Sequence, residues 1–194
     1  MAHVRHDVGE QTAVELLALA AAASPWTDPG RFPRGLDAML ELMGGGVLEP
    51  SLISHLPHGL PVAGAADVVV SGTRDGQALL DQLAQDGVPS HLADAGFASI
   101  ADFWPPWCAV MDGGEIAAMC FAARLTDLGA AAGVYTFPAW RGRGLAGVAT
   151  AAWSSHPDLA DLELGYSTLM SNTASQRVAA RLGLPRIGLG LRIA

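Results

Sequence analysis

The chain has 194 residues, 51% of them hydrophobic, with a formal net charge of −8. That length fills one well-formed core and is too short for two independent ones, and no apolar run reaches the roughly 20 residues a bilayer span requires. Residues 1–100 carry four arginines against twelve acidic residues and residues 101–194 carry seven against seven, a balance that disfavours nucleic acid and suits a cationic partner.

The periodicity predicts a helix over residues 11–23 and a shorter one over 36–43, ended by the glycines at 44–46. The stretches SPWTDPGRFPRG and EPSLISHLPHGLPVAG read as turn-rich connections. Residues 1–64 therefore form a helical extension, and the domain proper is expected over 65–194. From Asp67 the rhythm changes. VVVS at 68–71 is a short strand; Thr73 or Asp75 caps a helix to about Gln85; Ser90 caps another, broken near Gly96 and running toward Phe103, where WPPW ends it. WCAVM and EIAAMCFAAR, joined by DGG at 112–114, form the clearest hairpin. A strand at 131–136, a helix from about Arg143 to Ser154, a strand at 162–168, a helix from Asn172 to Leu182 and a strand from Arg186 to Arg192 complete the chain. The order β α α β β β α β α β describes a mixed α/β sheet with flanking helices.

One junction carries chemistry. YTFPAWRGRGLAG at 135–147 takes a strand through a glycine-bearing turn into a helix. Such a helix start exposes free N–H groups which, with the helix dipole, receive phosphate oxygens. Gly142 and Gly144 let a ligand approach the backbone, and Arg141 and Arg143 can add charge-assisted hydrogen bonds. Taken alone, the same pattern also fits a plain turn capping a helix.

RGRGLA resembles the R/Q-x-x-G-x-G/A signature of the Gcn5-related N-acetyltransferases (GNAT), with Arg141, Gly144 and Ala146 on the signature positions. SNTASQRVAARLGL at 171–184 resembles the family's second hallmark, an asparagine opening a helix that ends in Leu-Gly and an apolar residue. With the element order, the resemblance covers about residues 65–194 and implies a mostly antiparallel GNAT-type sheet. It further implies acetyl-CoA as co-substrate, lying where the strands at 131–136 and 162–168 splay apart. The pyrophosphate would rest on the N–H groups of Arg141, Gly142, Arg143, Gly144, Leu145 and Ala146. The pantetheine arm would pair with Val134, Tyr135 and Thr136 like an added strand, with Asn172 and Ser175 also on the cofactor. A backbone N–H near Val134 or Tyr135 would stabilise the thioester oxyanion.

The chain departs from the family at two points. Many members protonate the leaving thiolate with a tyrosine four residues before the Leu-Gly glycine, where this chain has Ala179. Tyr166, Ser167 and Ser175 are the nearby candidates for a catalytic acid, each with a structural reading beside it. The family commonly finishes with two strands after its last helix, and only one can be drawn here. The edge so left open is expected to pair with a second subunit in a homodimer or to be covered by the N-terminal extension.

Several other residues have plainer readings. Glu115 and Glu163 lie on or beside core strands and normally face solvent as strand-end carboxylates. His55 and His58 are three apart, but Pro57 between them opposes the helix that would aim both at one metal, and no metal site is expected. Trp104 and Trp107 are expected to plug the core beside the hairpin, with lining of the acceptor pocket as the alternative for one of them, and Trp140 to cover the turn. Asp7, Glu10 and Glu15 break the positive, acid-poor leader of a secretion signal, and two cysteines, Cys108 and Cys120, make no disulfide framework. A cytoplasmic setting follows, and the all-arginine, Ala- and Gly-rich composition suggests a GC-rich bacterial genome. The leading functional expectation is acetyl transfer to a small-molecule amine, with no nucleic acid or membrane as partner. A catalytically silent acyl-CoA-binding or interaction module, motivated by Ala179, and a protein or peptide N-acetyltransferase are the alternatives.

Overall fold

The computed structural model describes Val4, residues 7–64 and residues 66–193; the expected domain start at residue 65 and the last residue, 194, lie outside them. The elements in chain order are α1 (Glu10–Ala22), α2 (Leu36–Met43), β1 (Leu48–His55), β2 (Asp67–Val70), α3 (Arg74–Asp86), α4 (Ser90–Ala93), β3 (Trp107–Asp112), β4 (Glu115–Leu125), β5 (Gly129–Thr136), α5 (Leu145–Trp153), β6 (Glu163–Leu169), α6 (Thr173–Arg181) and β7 (Arg186–Ile193). They fall into two compact units. One holds Ser54–Tyr166 and Ala174–Pro185; the other holds Met1–Ile53, Ser167–Thr173 and Arg186–Ala194. This division differs from a cut at residue 64, because the first segment forms its unit with two short pieces of the C-terminal half.

In the smaller unit the two N-terminal helices appear where the periodicity places them, and α2 ends at Gly44 in the left-handed region (φ 72°). The expected turn-rich connection from residue 49 onward is instead strand β1. Pro50 is tolerated as its third residue because the strand still uses the proline carbonyl, which accepts the Met170 N–H at 2.8 Å. β1 lies between β6 and β7 in the strand order. Gly190 of β7 faces it so closely that a Cβ there would stand 2.7 Å from Ser51 Oγ, and Arg192 reaches Glu49 at 3.4 Å. The N-terminal segment thus supplies the strand between β6 and β7, and β7 is the last strand in the order.

In the larger unit β2, β3, β4 and β5 pair antiparallel in succession, and β6 joins β5 in parallel. The sheet is therefore mixed and mostly antiparallel, as expected. β3 and β4 are near-continuous apolar runs, and both of their faces are buried. One face presents Cys108, Val110, Ala118, Cys120, Ala130 and Ala132 to Ala149 and Trp153 of α5. The other presents Trp107, Met119, Phe121, Tyr135 and Phe137 to Leu83 of α3, Leu92 of α4 and the rings of Phe97 and Phe103.

Thr73 caps α3, its hydroxyl accepting the Gly76 N–H at 3.1 Å. The helix expected from Ser90 is interrupted near Gly96, as its pattern suggests, but its first part is short. It stops at Ala93, Gly96 takes φ 97°, and the chain resumes as one 3₁₀ turn over Ile100–Asp102. Ser99 and Asp102 close that turn as a capping box, with Asp102 Oδ2 accepting the Ser99 N–H at 2.7 Å. No helix among the described residues is long and apolar enough to cross a membrane.

Candidate functional site

β5 leaves the sheet at Thr136, makes a 3₁₀ turn over Pro138–Trp140 and enters α5 at Leu145. Gly142 and Gly144 sit at φ 80° and 81°, a region that disfavours any side chain, and no atom lies within 4 Å of where a Cβ would stand. Gly144 is the N-cap of α5 and has no side chain with which to cap it. As a result the amides of Gly142, Arg143, Gly144, Leu145 and Ala146 donate to no atom among the described residues; the next, Gly147, turns back to the Gly144 carbonyl at 3.0 Å. Five consecutive donors at the positive end of a helix form an anion cradle made of backbone.

The two arginines of this turn are engaged within the protein. Arg143 makes a bidentate pair with Asp112 at 2.8 and 2.9 Å, and Trp140 Nε1 donates to the same carboxylate at 2.9 Å. Hydrogen bonds from Arg143 and Trp140 hold the Asp112 carboxyl below the usual carboxylate range, and the Arg143 guanidinium is raised in return. Asp112 ends β3, so the far hairpin braces the turn through both residues. Trp140 also packs on the His91 ring at 5.4 Å. Arg141 folds back along β5: its Nε donates to the Thr136 carbonyl at 3.2 Å, and its guanidinium carbon lies 5.9 Å from the Tyr135 ring centroid. Neighbouring backbone, more than either side chain, presents the hydrogen-bond donors of the cradle.

The β5–β6 register runs from Gly129 and Glu163 to Ala132 and Tyr166, where it ends. β5 continues for four residues beyond that point. The Phe137 N–H bonds to the Ala117 carbonyl of β4, so strand alternation turns Tyr135 toward β4 and leaves the backbone groups of Val134 and Thr136 on the other side. Of the two amides expected near the thioester, Val134 is therefore the one outside the β4 ladder.

Tyr166 and Ser175, two of the expected acids, meet. The tyrosine hydroxyl lies 2.8 Å from Ser175 Oγ, and burial raises the phenol above its ordinary value, so it stays protonated at neutral pH. Ala179, one turn after Ser175 on α6, is buried against this cluster. Ser167 is exposed on β6. Asn172 belongs to the smaller unit; its N–H donates to the Leu169 carbonyl at 2.9 Å.

A second constellation has the look of a nucleophilic triad. Ser71 Oγ lies 2.9 Å from His156 Nε2, and His156 Nδ1 lies 3.9 Å from Asp158 Oδ2. The hydrogen bonds exclude that chemistry. His156 Nδ1 accepts the Asp158 N–H, which puts the ring proton on Nε2 and makes the histidine a donor to the serine. Ser71 Oγ also accepts the Trp107 N–H at 2.9 Å, so both its lone pairs are occupied, and both side chains are buried. The pair ties β2 to the segment after α5.

The remaining expectations sort by exposure. Trp107 is buried and donates from Nε1 to the Phe103 carbonyl, whereas Trp104 does not plug the core and stands 47% exposed. Glu163 faces solvent beside His55 at 3.9 Å, and His58 Nε2 lies 2.9 Å from the Leu162 carbonyl. Cys108 and Cys120 oppose each other across β3 and β4, and burial pushes the Cys108 thiol up to about 12. The residue that sequence reasoning missed is Asp112. It was legible only as the first position of a hairpin turn, since its partners are 28 and 31 residues away.

No family model matches the sequence, and no curated protein matches it. Solved structures do. A GNAT-family protein from Novosphingobium aromaticivorans is 21% identical, with 75% of this chain and 63% of that one covered at a TM-score of 0.50. A GCN5-related N-acetyltransferase from Kribbella flavida is 17% identical, with 81% and 62% covered at 0.52. A GCN5-related N-acetyltransferase-like protein from Streptococcus suis is 14% identical, with 80% and 65% covered at 0.50. At such identities the likeness is one of fold, and the chain spans less than two thirds of each of these proteins.

Proposed function

We propose that this chain, whose fold is that of the GCN5-related N-acetyltransferases, is an acetyl-CoA-dependent N-acetyltransferase that passes the acetyl group directly to the primary amine of a small molecule. The observation that carries this reading is the run of five undonated amides from Gly142 to Ala146, standing where β5 ends and α5 begins. A diphosphate fits them: the glycines leave the approach clear and the helix dipole favours the charge.

Acetyl-CoA, when bound, supplies an activated thioester. The chain's own residues supply the rest. The amides of Gly142 to Ala146 hold the diphosphate, while the Asp112–Arg143 pair and Trp140 keep the turn in place before binding, so little ordering remains to be done. Backbone groups of Val134 and Thr136, outside the β4 ladder, run alongside the pantetheine arm. The Val134 N–H donates to the thioester oxygen as negative charge develops there. Tyr166, protonated and hydrogen-bonded to Ser175, gives its proton to the departing sulfur and is reprotonated through the serine; this replaces the side chain absent at Ala179. The amine proton leaves to water. Asn172 is carried in this proposal by the resemblance alone.

Calorimetric titration with acetyl-CoA, followed by an amine screen read by thiol release, tests the proposal. Saturable binding that Arg143→Glu weakens by about tenfold, with turnover of at least one small amine, is expected. No binding of acetyl-CoA to the wild-type chain overturns it. Ala179 favours one other reading, a silent acyl-CoA-binding module, and tight binding without turnover of any amine or peptide would select it.

A further inference from the structure

On the aromatic face of the larger unit, a recess of about 230 Å³ is lined by Gly96, Phe97, Asp102, Trp104, Phe121 and Tyr135. It abuts β5 just after the last β6 pair. The Phe121 ring lies across Gly133, where a Cβ would come within 2.7 Å of Cε2, and Gly133 and Tyr135 flank Val134. Phe97 meets Phe121 edge to face at 5.5 Å. Asp102 is the carboxylate among the lining residues. Its Oδ2 accepts both the Ser99 N–H and the Ser99 hydroxyl, at 2.7 and 3.0 Å. Those bonds hold the carboxyl below the usual range, so it is anionic throughout neutral pH. Arg141, held at the Thr136 carbonyl, lies against the Tyr135 ring with its Nη2 donating to the Tyr135 hydroxyl at 3.5 Å, and is not itself among the lining residues.

Aromatic faces around a lone anion recognise an ammonium ion attached to a flat apolar body, because ring quadrupole and carboxylate both attract the charge. We propose that this recess is the acceptor site and that it selects small primary amines in their ammonium form while rejecting amines that also carry a carboxylate. Its volume suits a skeleton of one ring. Trp104 covers the apolar part, and Asp102 draws the ammonium and repels a second anion. The low carboxyl pKa makes Asp102 a recognition group and a poor base, so the proton that must leave before attack goes to water.

The role as acceptor site rests on the acetyltransferase reading, but amine binding is measurable without acetyl-CoA. Phenethylamine and phenylalanine share a skeleton and differ in the carboxylate. Calorimetry on the wild-type chain is expected to show phenethylamine bound at least about fivefold more tightly. Asp102→Asn, which keeps an oxygen for Ser99, weakens phenethylamine by about fivefold and abolishes the discrimination; Trp104→Ala, at an exposed position, weakens it by about threefold. With acetyl-CoA present, both substitutions raise KM for the amine and leave kcat and acetyl-CoA affinity unchanged. Equal binding of the two compounds, no binding of either, or amine affinity unchanged by both substitutions overturns the assignment. Amine binding by this pattern in a chain that ignores acetyl-CoA sinks the transferase reading instead and leaves the recess as an amine site.

Discussion

The two faces of the sheet in the larger unit are built from different materials. The α5 face is paved with alanine and cysteine, and small side chains let the helix come down flat and leave Trp153 wholly buried. The opposite face carries Trp107, Phe121, Tyr135 and Phe137, with Phe97 and Phe103 packed onto them. Large planar rings meet at tilted or edge-to-face angles, at centroid separations of 5.2–6.3 Å, and a volume of about 230 Å³ is left among Phe97, Phe121, Tyr135 and the covering segment. The close-packed face anchors the helix whose first amides form the cradle, and the ring-lined face leaves room for a second ligand. Under the proposed acceptor site, rigidity and recognition are divided between opposite sides of the same strands.

Removing the largest filler of the tight face should show its dependence on packing most strongly. Trp153→Ala loses a wholly buried ring and its Nε1 bond to the Pro106 carbonyl, and urea unfolding is expected to register a loss of about 3–5 kcal/mol. A loss below about 1 kcal/mol would mean that this face is not the rigid one. Next comes Tyr166→Phe, which keeps the ring and removes the proton donor. Thiol release at saturating acetyl-CoA is expected to fall by roughly a hundredfold in kcat with acetyl-CoA affinity unchanged, and an unaltered kcat would remove Tyr166 from the chemistry.

Gly133→Ala attacks the ring face from beneath. The new methyl group collides with the Phe121 ring and Ala123 Cβ, at 2.7 and 2.9 Å, and the cost is about 1–3 kcal/mol in the same unfolding experiment. If stability holds while amine binding weakens, the ring has swung into the recess.

The smallest effect belongs to the brace. Asp112→Ala is expected to leave the melting temperature nearly unchanged, because the pair is exposed, and to weaken acetyl-CoA binding by about fivefold. The pH dependence has a definite sign. The folded carboxyl titrates lower than in the unfolded chain, so its stabilisation is complete above the usual carboxylate range and is lost as the pH falls through the lowered value. Wild-type stability and that of Asp112→Ala should therefore converge on acidification and stay parallel near neutrality.

Much of the molecule was legible in the chain because its signals are local. The hairpin at Asp112-Gly113-Gly114, the Thr73 cap and the turn at Gly142 and Gly144 each rest on the conformational preferences of adjacent residues, and each appears where it was expected. β1 was misread because Pro50 and Pro57 signal turns, and only the partners on either side, distant in sequence, make an extended conformation worthwhile there. The core reading of Trp104 rested on residue type, and the exposed side chain departs from it. The arginines of the turn were expected to face a ligand, and Arg143 instead found a carboxylate 31 residues away.

Periodicity and turn chemistry determined the order of strands and helices from β2 onward and the glycine turn into α5, since these depend on covalent neighbours. Tertiary structure decided which amides stay undonated, that Tyr166 meets Ser175, that Asp112 holds Arg143 and Trp140, and that Asp102 lies among aromatic rings. Each of those facts joins residues whose proximity is set by strand register and helix packing, and chain entropy keeps them apart until the whole core has formed.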